Sequence, residues 1–529
     1  MNSLARRLRR TTVLTLCALA ALGLFAASAL ARNVYTVDYT SGTVTAIDTK
    51  TNQVVGTPLP VGPTSNPYSN AISPDGKAML LINNGANTLV KVDLPSWTVG
   101  APLPVGTDPT VVAISPDGST AYVADGSGKA VHVVDLKTMQ IVGSPIDLPG
   151  ETWGVAFAPS GKIAYVTDET NNVVHVIDTQ TRQIVGAPIP AGEEPINVAF
   201  TPDGKRALVT NGESDDVTVI DVTSGTKQTD IKVGEFPWEA AITPDGRRAF
   251  VTNYQEETVS VIDLQTNAVV GPAIKVGSEP YGVAITPNGR SAYVANYGDK
   301  SVSVIDTASN QVTPTIPLPG TGVWLLAIAP DQSPVPSFTA AAATAGKATK
   351  FDAAASQDPD GLISAFDWSF GDGASAASTG PKTSHKYKKA KKFTASLRVT
   401  DDEGCSTELV FTGRTAYCSG TAAATRTFKV KAPNTFGFGG LVKDTANGTA
   451  KLKVKLPYAG SVQLSGKGVR AAKRSAGKAK AVTLPIKPQA SLRQRLLTAG
   501  SAKVKLKVKF KPQGGKARTK AKTVTLVLR

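Results

Sequence analysis

The sequence predicts an all-β chain: a seven-bladed β-propeller followed by two β-sandwiches, the second of them small and basic. Three observations predict it. A short β-branched strand ending in aspartate recurs at Asp48, Asp93, Asp135, Asp178, Asp221, Asp263 and Asp306, with spacings of 45, 42, 43, 43, 42 and 43 residues. A tight turn led by proline falls between these strands, at Pro74, Pro116, Pro159, Pro202, Pro244, Pro287 and Pro330. Beyond Pro334 the period stops and new strand patterns begin, so the repeat forms one architecture and the remainder folds separately.

Residues 1–31 precede the repeat and read as a signal peptide. Arg6, Arg7, Arg9 and Arg10 lead an apolar run from Val13 to Ala27, and Ala29-Leu30-Ala31 has the small-x-small form of a cleavage site. The run is shorter than the roughly 20 residues that span a bilayer. Cys17 follows Leu16, where lipoprotein processing wants a small residue, and no twin-arginine pattern completes the paired arginines. No later segment is long and apolar enough to cross a membrane, so a secreted, extracellular or cell-wall-associated chain is expected.

The propeller is assigned to residues 32–332. Each unit reads as four short strands, bounded by Gly, Pro, Asn and Asp, which indicates a blade and not a βαβ unit. The repeat starts on the second strand of a unit, Asn33–Asp38, and ends on a lone first strand, Gly322–Pro330. One blade is therefore shared by the two ends, which ties the ring shut without an open sheet edge.

The segments Val251-Thr252-Asn253-Tyr254 and Pro280–Gly289 resemble the YVTN family of β-propeller repeats, found in bacterial and archaeal surface proteins. In that family's arrangement the strand before the turn proline is innermost and lines the axis. The residue six before each proline is then Tyr68, Thr110, Trp153, Ile196, Trp238, Tyr281 or Trp324. Two residues earlier stand Asn66, Asp108, Glu151, Glu194, Phe236, Glu279 and Gly322, and loops on the same face add Glu169, Glu213, Asp215, Asp216, Glu256, Glu257 and Asp299.

One mouth of the axial channel is thus expected to be aromatic and acidic. The candidate ligand-binding residues are Tyr68, Asp108, Glu151, Trp153, Glu194, Trp238, Glu279, Tyr281 and Trp324. Such a surface suits sugar rings and cationic groups, and its oxygens could also help hold a calcium ion; no other cofactor is expected. The same residue choice also follows from wedging adjacent blades together, and packing is the first reading.

Catalytic residues are not found. His132 and His175 share one repeat position on the third strand from the axis, where other units carry Thr45, Val90, Thr218, Ser260 and Ser303, so they read as ordinary blade residues. The repeated aspartates read as turn formers. No zinc spacing, phosphate loop or nucleophile elbow is present. A propeller-type lactonase or lyase at the axis is the alternative to a binding and scaffolding role.

Residues 335–432 resemble the PKD domain, an immunoglobulin-like β-sandwich of extracellular proteins. The resemblance rests on Phe351–Gly361, Trp368–Gly373, His385-Lys386-Tyr387 and Phe393–Gly404. Trp368 and Phe370 alternate into a core, and His385 is expected to be structural. Cys405 and Cys418 are the two cysteines left outside the signal segment. An oxidising compartment favours pairing them across a short hairpin, worth about 3 kcal/mol on the loop-entropy argument.

Residues 433–529 alternate lysine with aliphatics, placing Leu452, Val454, Leu456, Val504, Leu506, Val508 and Phe510 on a buried face, with a short helix at Ser491–Leu497. Charge is segregated along the chain. Residues 33–334 carry 16 basic and 31 acidic residues, a net of −15, whereas residues 433–529 carry 23 basic residues and one acid, Asp444, a net of +22. A basic tail on an acidic head draws anionic polymers, so cell-wall polyanions, glycans or another surface protein are the expected partners. Nucleic acid is not expected, because binding motifs and exposed stacking aromatics are lacking. A monomer is expected.

Overall fold

Runs such as Ser301–Asp306 carry β-branched Val302, Val304 and Ile305 and are bounded by turn residues, and the computed structural model places each as a strand. It describes residues 33–62, 66–320, 322–341, 343–402, 409–411, 416–419 and 423–529. The predicted signal segment, all of Cys405 and the side chain of Cys418 lie outside the described residues. Among the described residues no helix is long and apolar enough to cross a membrane. The chain divides into two compact units. One comprises residues 1–335 with 357–363 and 400–422, and the other residues 336–356, 364–399 and 423–529.

The first unit repeats one antiparallel sheet. Strands Pro280–Ile285, Ser291–Asn296, Ser301–Asp306 and Gln311–Pro317 lie side by side in chain order, and six sheets are built this way, starting at Pro67, Pro109, Thr152, Pro195, Pro237 and Pro280. A further sheet joins the two ends of the repeat. Its first strand is Val323–Ile328, paired with Asn33–Asp38 through Val34 opposite Ile328 and Thr36 opposite Leu326. The backbone N–H of Tyr39 also donates to Gly322 O at 3.0 Å, and that of Ala329 to Asn33 O at 3.0 Å. The first strands neighbour one another around a closed circuit, from 67–72 through 109–114, 152–157, 195–200, 237–242, 280–285 and 323–328 back to 67–72.

This circuit explains why the strands lack polar alternation. Each sheet is covered on both faces by its neighbours, so strand Ala78–Asn83 is buried from Met79 onward. The apolar clusters lie between sheets: Tyr35, Val37 and Val44 pack with Ile72, Met79 and Leu81. The repeated aspartates turn the chain as expected. Asp48 Oδ1, for example, accepts from the N–H of Lys50 at 2.9 Å and of Thr51 at 2.7 Å.

The fourth strand departs from the simple reading. In four sheets it is split into two-residue pieces, such as Gln140–Ile141 and Ile146–Asp147. Gly143 between them has φ 77°, and Pro145 lacks an N–H to donate. The outer edge therefore bulges away from pairing, which protects it from strand addition.

In the second unit Phe366–Ser369 pairs with Ser375–Ser378, and Lys392–Leu397 pairs with Ala424–Lys429 within the same sheet. Trp368, Phe370, Phe351, Tyr387 and Phe393 are all buried in its core. Gly371 has φ 73°, and a Cβ there would stand 2.1 Å from Thr394 O, so the turn after Phe370 requires glycine. His385 lies flat on Phe370 at 4.3 Å, with its Nε2 2.8 Å from Asp372 Oδ2, a structural role as the sequence suggested.

The basic segment folds as two sheets. Strands Gly437–Asp444, Thr449–Leu456 and Lys480–Ile486 face Gly460–Gly466, Val469–Ala476, Ser501–Pro512 and Arg518–Val527. All seven predicted inward residues, from Leu452 to Phe510, are buried between them. The helix spans Ala490–Ala499, seats Leu492 and Leu496 on this core, and ends on Gly500 at φ 64°.

Candidate functional site

Each first strand opens on the same end of the circuit, and its second residue points toward the axis. Proline starts five of the seven first strands, where a missing N–H is harmless. The residue before it turns the chain with positive φ at Asn66, Glu194, Phe236 and Glu279. Inward geometry and short spacing then force the side chains together.

The predicted aromatics meet as one connected group. Ring centroids are 5.7 Å apart for Tyr68 and Trp153, 5.6 Å for Trp153 and Trp238, 4.8 Å for Trp238 and Tyr281, 3.9 Å for Tyr281 and Trp324, and 4.9 Å for Trp324 and Tyr68. These contacts close on themselves and plug the axis. Thr110 and Ile196 complete the ring, both 2% exposed. Trp238 and Tyr281 are buried, at 8% and 7% exposed, while Tyr68, Trp153 and Trp324 keep partial exposure. Packing thus accounts for most of the ring. The indole N–H of Trp324 is the exception, a buried donor without a hydrogen-bond partner.

The acids divide unevenly around the mouth. Burial, and then the charges of Glu169 and Glu213, push the Glu194 carboxyl up to about 7. Burial and the charge of Glu151 push Glu169 up as well. Glu151, Glu169, Glu194 and Glu213 therefore form one repelling cluster. Asp108 is tied down instead, accepting from Asn84 Nδ2 at 2.7 Å and Ser127 Oγ at 3.0 Å. Burial, then Tyr39, Asp108 and Glu169, raise the Tyr68 phenol. Glu279 is close enough to Tyr281 to help raise its phenol, after burial and Tyr254. Among the described residues no group of three or more acids, histidines or cysteines is arranged to hold a metal ion.

Sequence reasoning missed Tyr39, Tyr254 and Tyr297, which surround the plug. Tyr254 lies 4.7 Å from Tyr281, Tyr297 5.6 Å from Trp324, and Tyr39 5.2 Å from Trp324. They share one repeat position, directly after the second strand, where Asn84, Gly126, Glu169 and Gly212 stand in the other units. The mouth is consequently two-sided: the three tyrosines stand over the sheets starting at Pro237, Pro280 and Val323, and the repelling glutamates over those starting at Thr152 and Pro195.

Below the plug lies Glu239, only 6% exposed, whose Oε2 accepts from the Val283 N–H at 3.1 Å. It lines a cavity of about 50 Å³ with Asn70, Val198, Ala240, Val283 and Leu326. The signal was available, because Glu239 is the one acid in a repeat column otherwise holding Ser69, Val111, Gly154, Asn197, Gly282 and Leu325. His132 and His175 lie away from this cavity. Each pairs with an aspartate on the adjoining strand, Nε2 to Oδ2 being 3.2 Å to Asp125 and 3.0 Å to Asp168.

Comparison with known proteins agrees with this architecture. Residues 331–415 match the PKD domain family. The fold of a functionally unknown protein from Desulfotomaculum acetoxidans is similar at 17% identity and TM-score 0.50, covering 56% of this chain and 98% of that one. A Bacteroides uniformis protein described as a candidate 6-phosphogluconolactonase is similar at 18% identity and TM-score 0.50, covering 56% of this chain and 99% of that one. At these identities the likeness is one of fold: repeated antiparallel sheets of propeller type.

Proposed function

We propose that the chain is a secreted or cell-wall-associated binding and scaffolding protein. In this reading residues 32–332 form a seven-bladed propeller of YVTN type that presents a ligand platform. Residues 335–432 are a spacer, and residues 433–529 an electrostatic tether to cell-wall polyanions. The observation that carries the reading is the outward placement of the tail's lysines. Along Ser501–Pro512 burial alternates residue by residue, and Lys503, Lys505, Lys507, Lys509 and Lys511 are all exposed while the residues between them are buried. A solubility role alone does not call for such complete segregation, with one acid in residues 433–529 against 31 in residues 33–334.

The two-sided mouth is the natural ligand face. Trp153 and Trp324 offer partly exposed ring surface on which a sugar ring can stack, Trp153 beside the glutamate cluster. The alternative, catalysis at the axis by a lactonase or lyase, draws on Glu239. Its cavity of about 50 Å³ is far below the roughly 300–1,000 Å³ of small-molecule sites, and the aromatic plug closes it from the mouth.

The test is retention of the full chain on isolated cell wall across a salt series. Binding is expected to fall steeply as the screening length shrinks from about 10 Å at 0.1 M salt to about 3 Å at 1 M. Retention that does not change with salt would remove the tether.

A further inference from the structure

Within the second unit, Lys388, Lys389 and Lys391 line a cavity of about 670 Å³ together with Tyr458, Lys478 and Gln513. We propose that this cavity is a phosphate site, which holds the terminal phosphate of a linear phosphate-bearing polymer whose chain runs along the lysine row of strand Ser501–Pro512. The inference rests on the tether reading and gives it a defined end.

Four lysines line the cavity, and none of the residues lining it is acidic. None of the four lysines forms an ion pair among the described residues. Lys391 is steadied over the Phe393 ring, its Nζ 5.0 Å from the centroid, and the others are exposed. Concentrated positive charge of this kind is left largely uncompensated by a single carboxylate. A terminal phosphate, carrying about −1.5 to −2 at neutral pH, answers it with one group.

The walls are fixed independently of any ligand. The Ala390 N–H donates to Tyr458 Oη at 2.9 Å, the Gln513 N–H to Ala459 O at 2.8 Å, and the Gly346 N–H to Tyr387 O at 2.8 Å. A site whose backbone is already held loses less entropy on binding.

The lysine row leads to this cavity. Strand Ser501–Pro512 ends where Gln513 and Gly514 enter the cavity wall. Its lysines repeat every second residue, about 7 Å apart on an extended strand. Polar neighbours flank them across the sheet: Ser461 opposite Lys511, Gln463 opposite Lys509, Thr523 opposite Lys505 and Thr525 opposite Lys503. A linear chain is thereby offered charges in line and hydrogen-bonding groups on both sides.

Two probes separate cavity from row: tripolyphosphate, which fills the cavity alone, and long-chain polyphosphate, which reaches both. Calorimetric titration of the full chain at physiological salt is expected to show saturable tripolyphosphate binding. The pair Lys389→Gln with Lys478→Gln is expected to weaken it about tenfold, and Lys505→Gln with Lys507→Gln by less than about threefold. Long-chain polyphosphate is expected to weaken with both pairs. All four lysines are exposed, and unchanged thermal unfolding checks that the variants fold. Absent or unsaturable tripolyphosphate binding, or equal loss in both pairs, overturns the cavity. If long-chain polyphosphate still binds with steep salt dependence, the tether stands without the cavity; if neither probe binds, both fall.

Discussion

The indole of Trp324 stacks on the ring of Tyr281 at 3.9 Å, with 19° between their planes. Trp238 stands edge-on to both, at 89° to Tyr281 and 90° to Trp324. Three neighbouring first strands are thereby locked where the sheets converge. Because Trp238 is 8% exposed, its removal leaves a hole that backbone pinned on both sides cannot close. Trp238→Ala is expected to destabilise the first unit by about 3 kcal/mol, near the low end for buried aromatics. Trp153→Ala, at a partly exposed position, should lose less, about 2 kcal/mol, and weaken any sugar ligand more. Near-ultraviolet circular dichroism during thermal unfolding of the full chain reads both. Equal losses would contradict the division between plug and platform.

The acidic side of the mouth predicts a pH response. Glu194 titrates at about 7 in the folded chain, because burial and the charges of Glu169 and Glu213 oppose its ionisation. Its unfolded carboxyl titrates near 4.3. Between these values the unfolded chain gives up its proton first, so stability falls as pH rises from about 4.3 to about 7. Below that window Glu194 is protonated in both states and contributes no pH dependence. Glu194→Gln should therefore match the parent near pH 4 and exceed it in stability at pH 8. Measuring the unfolding midpoint of both proteins across this range checks the sign, and a variant less stable at pH 8 would reverse the assignment.

The depth to which the sequence was legible follows from which constraint each residue serves. The period was readable because every unit meets the same turn and strand demands, as at Asp48 and Asp306, where one carboxylate caps the following turn. The shared sheet at Asn33–Asp38 and Val323–Ile328 followed from phase alone. The buried faces at Leu452 and Phe510 followed from period two. The positions that escaped break the repeat in one or a few units. Glu239 is the one acid in its column, and Tyr39, Tyr254 and Tyr297 occupy a loop column that is Gly or polar elsewhere. A consensus reading averages such departures away, and they define the asymmetry of the mouth. The split outer strands escaped for another reason: Gly143 and Pro145 suggest a bend, but which pairing is lost depends on the adjoining strand.

The repeat also contains an internal exchange of polar pairs. In three sheets an asparagine Nδ2 donates across to a hydroxyl at 2.9 Å: Asn211 to Thr218, Asn253 to Ser260 and Asn296 to Ser303. In two others the same positions hold Asp125 with His132 and Asp168 with His175, every member of which is buried. An aspartate can only accept when ionised, so its partner must donate, and the imidazole supplies an N–H. His175→Ser alone replaces a buried imidazole by a smaller donor and leaves a gap beside Asp168, which Asn171 also contacts, at an expected loss of about 1–3 kcal/mol. Adding Asp168→Asn recreates the pair used in the other sheets and should recover most of that loss. A double-mutant cycle on thermal unfolding measures the coupling, expected at about 1–2 kcal/mol for groups in direct contact. Additive losses would mean that the two side chains are buried side by side without depending on each other.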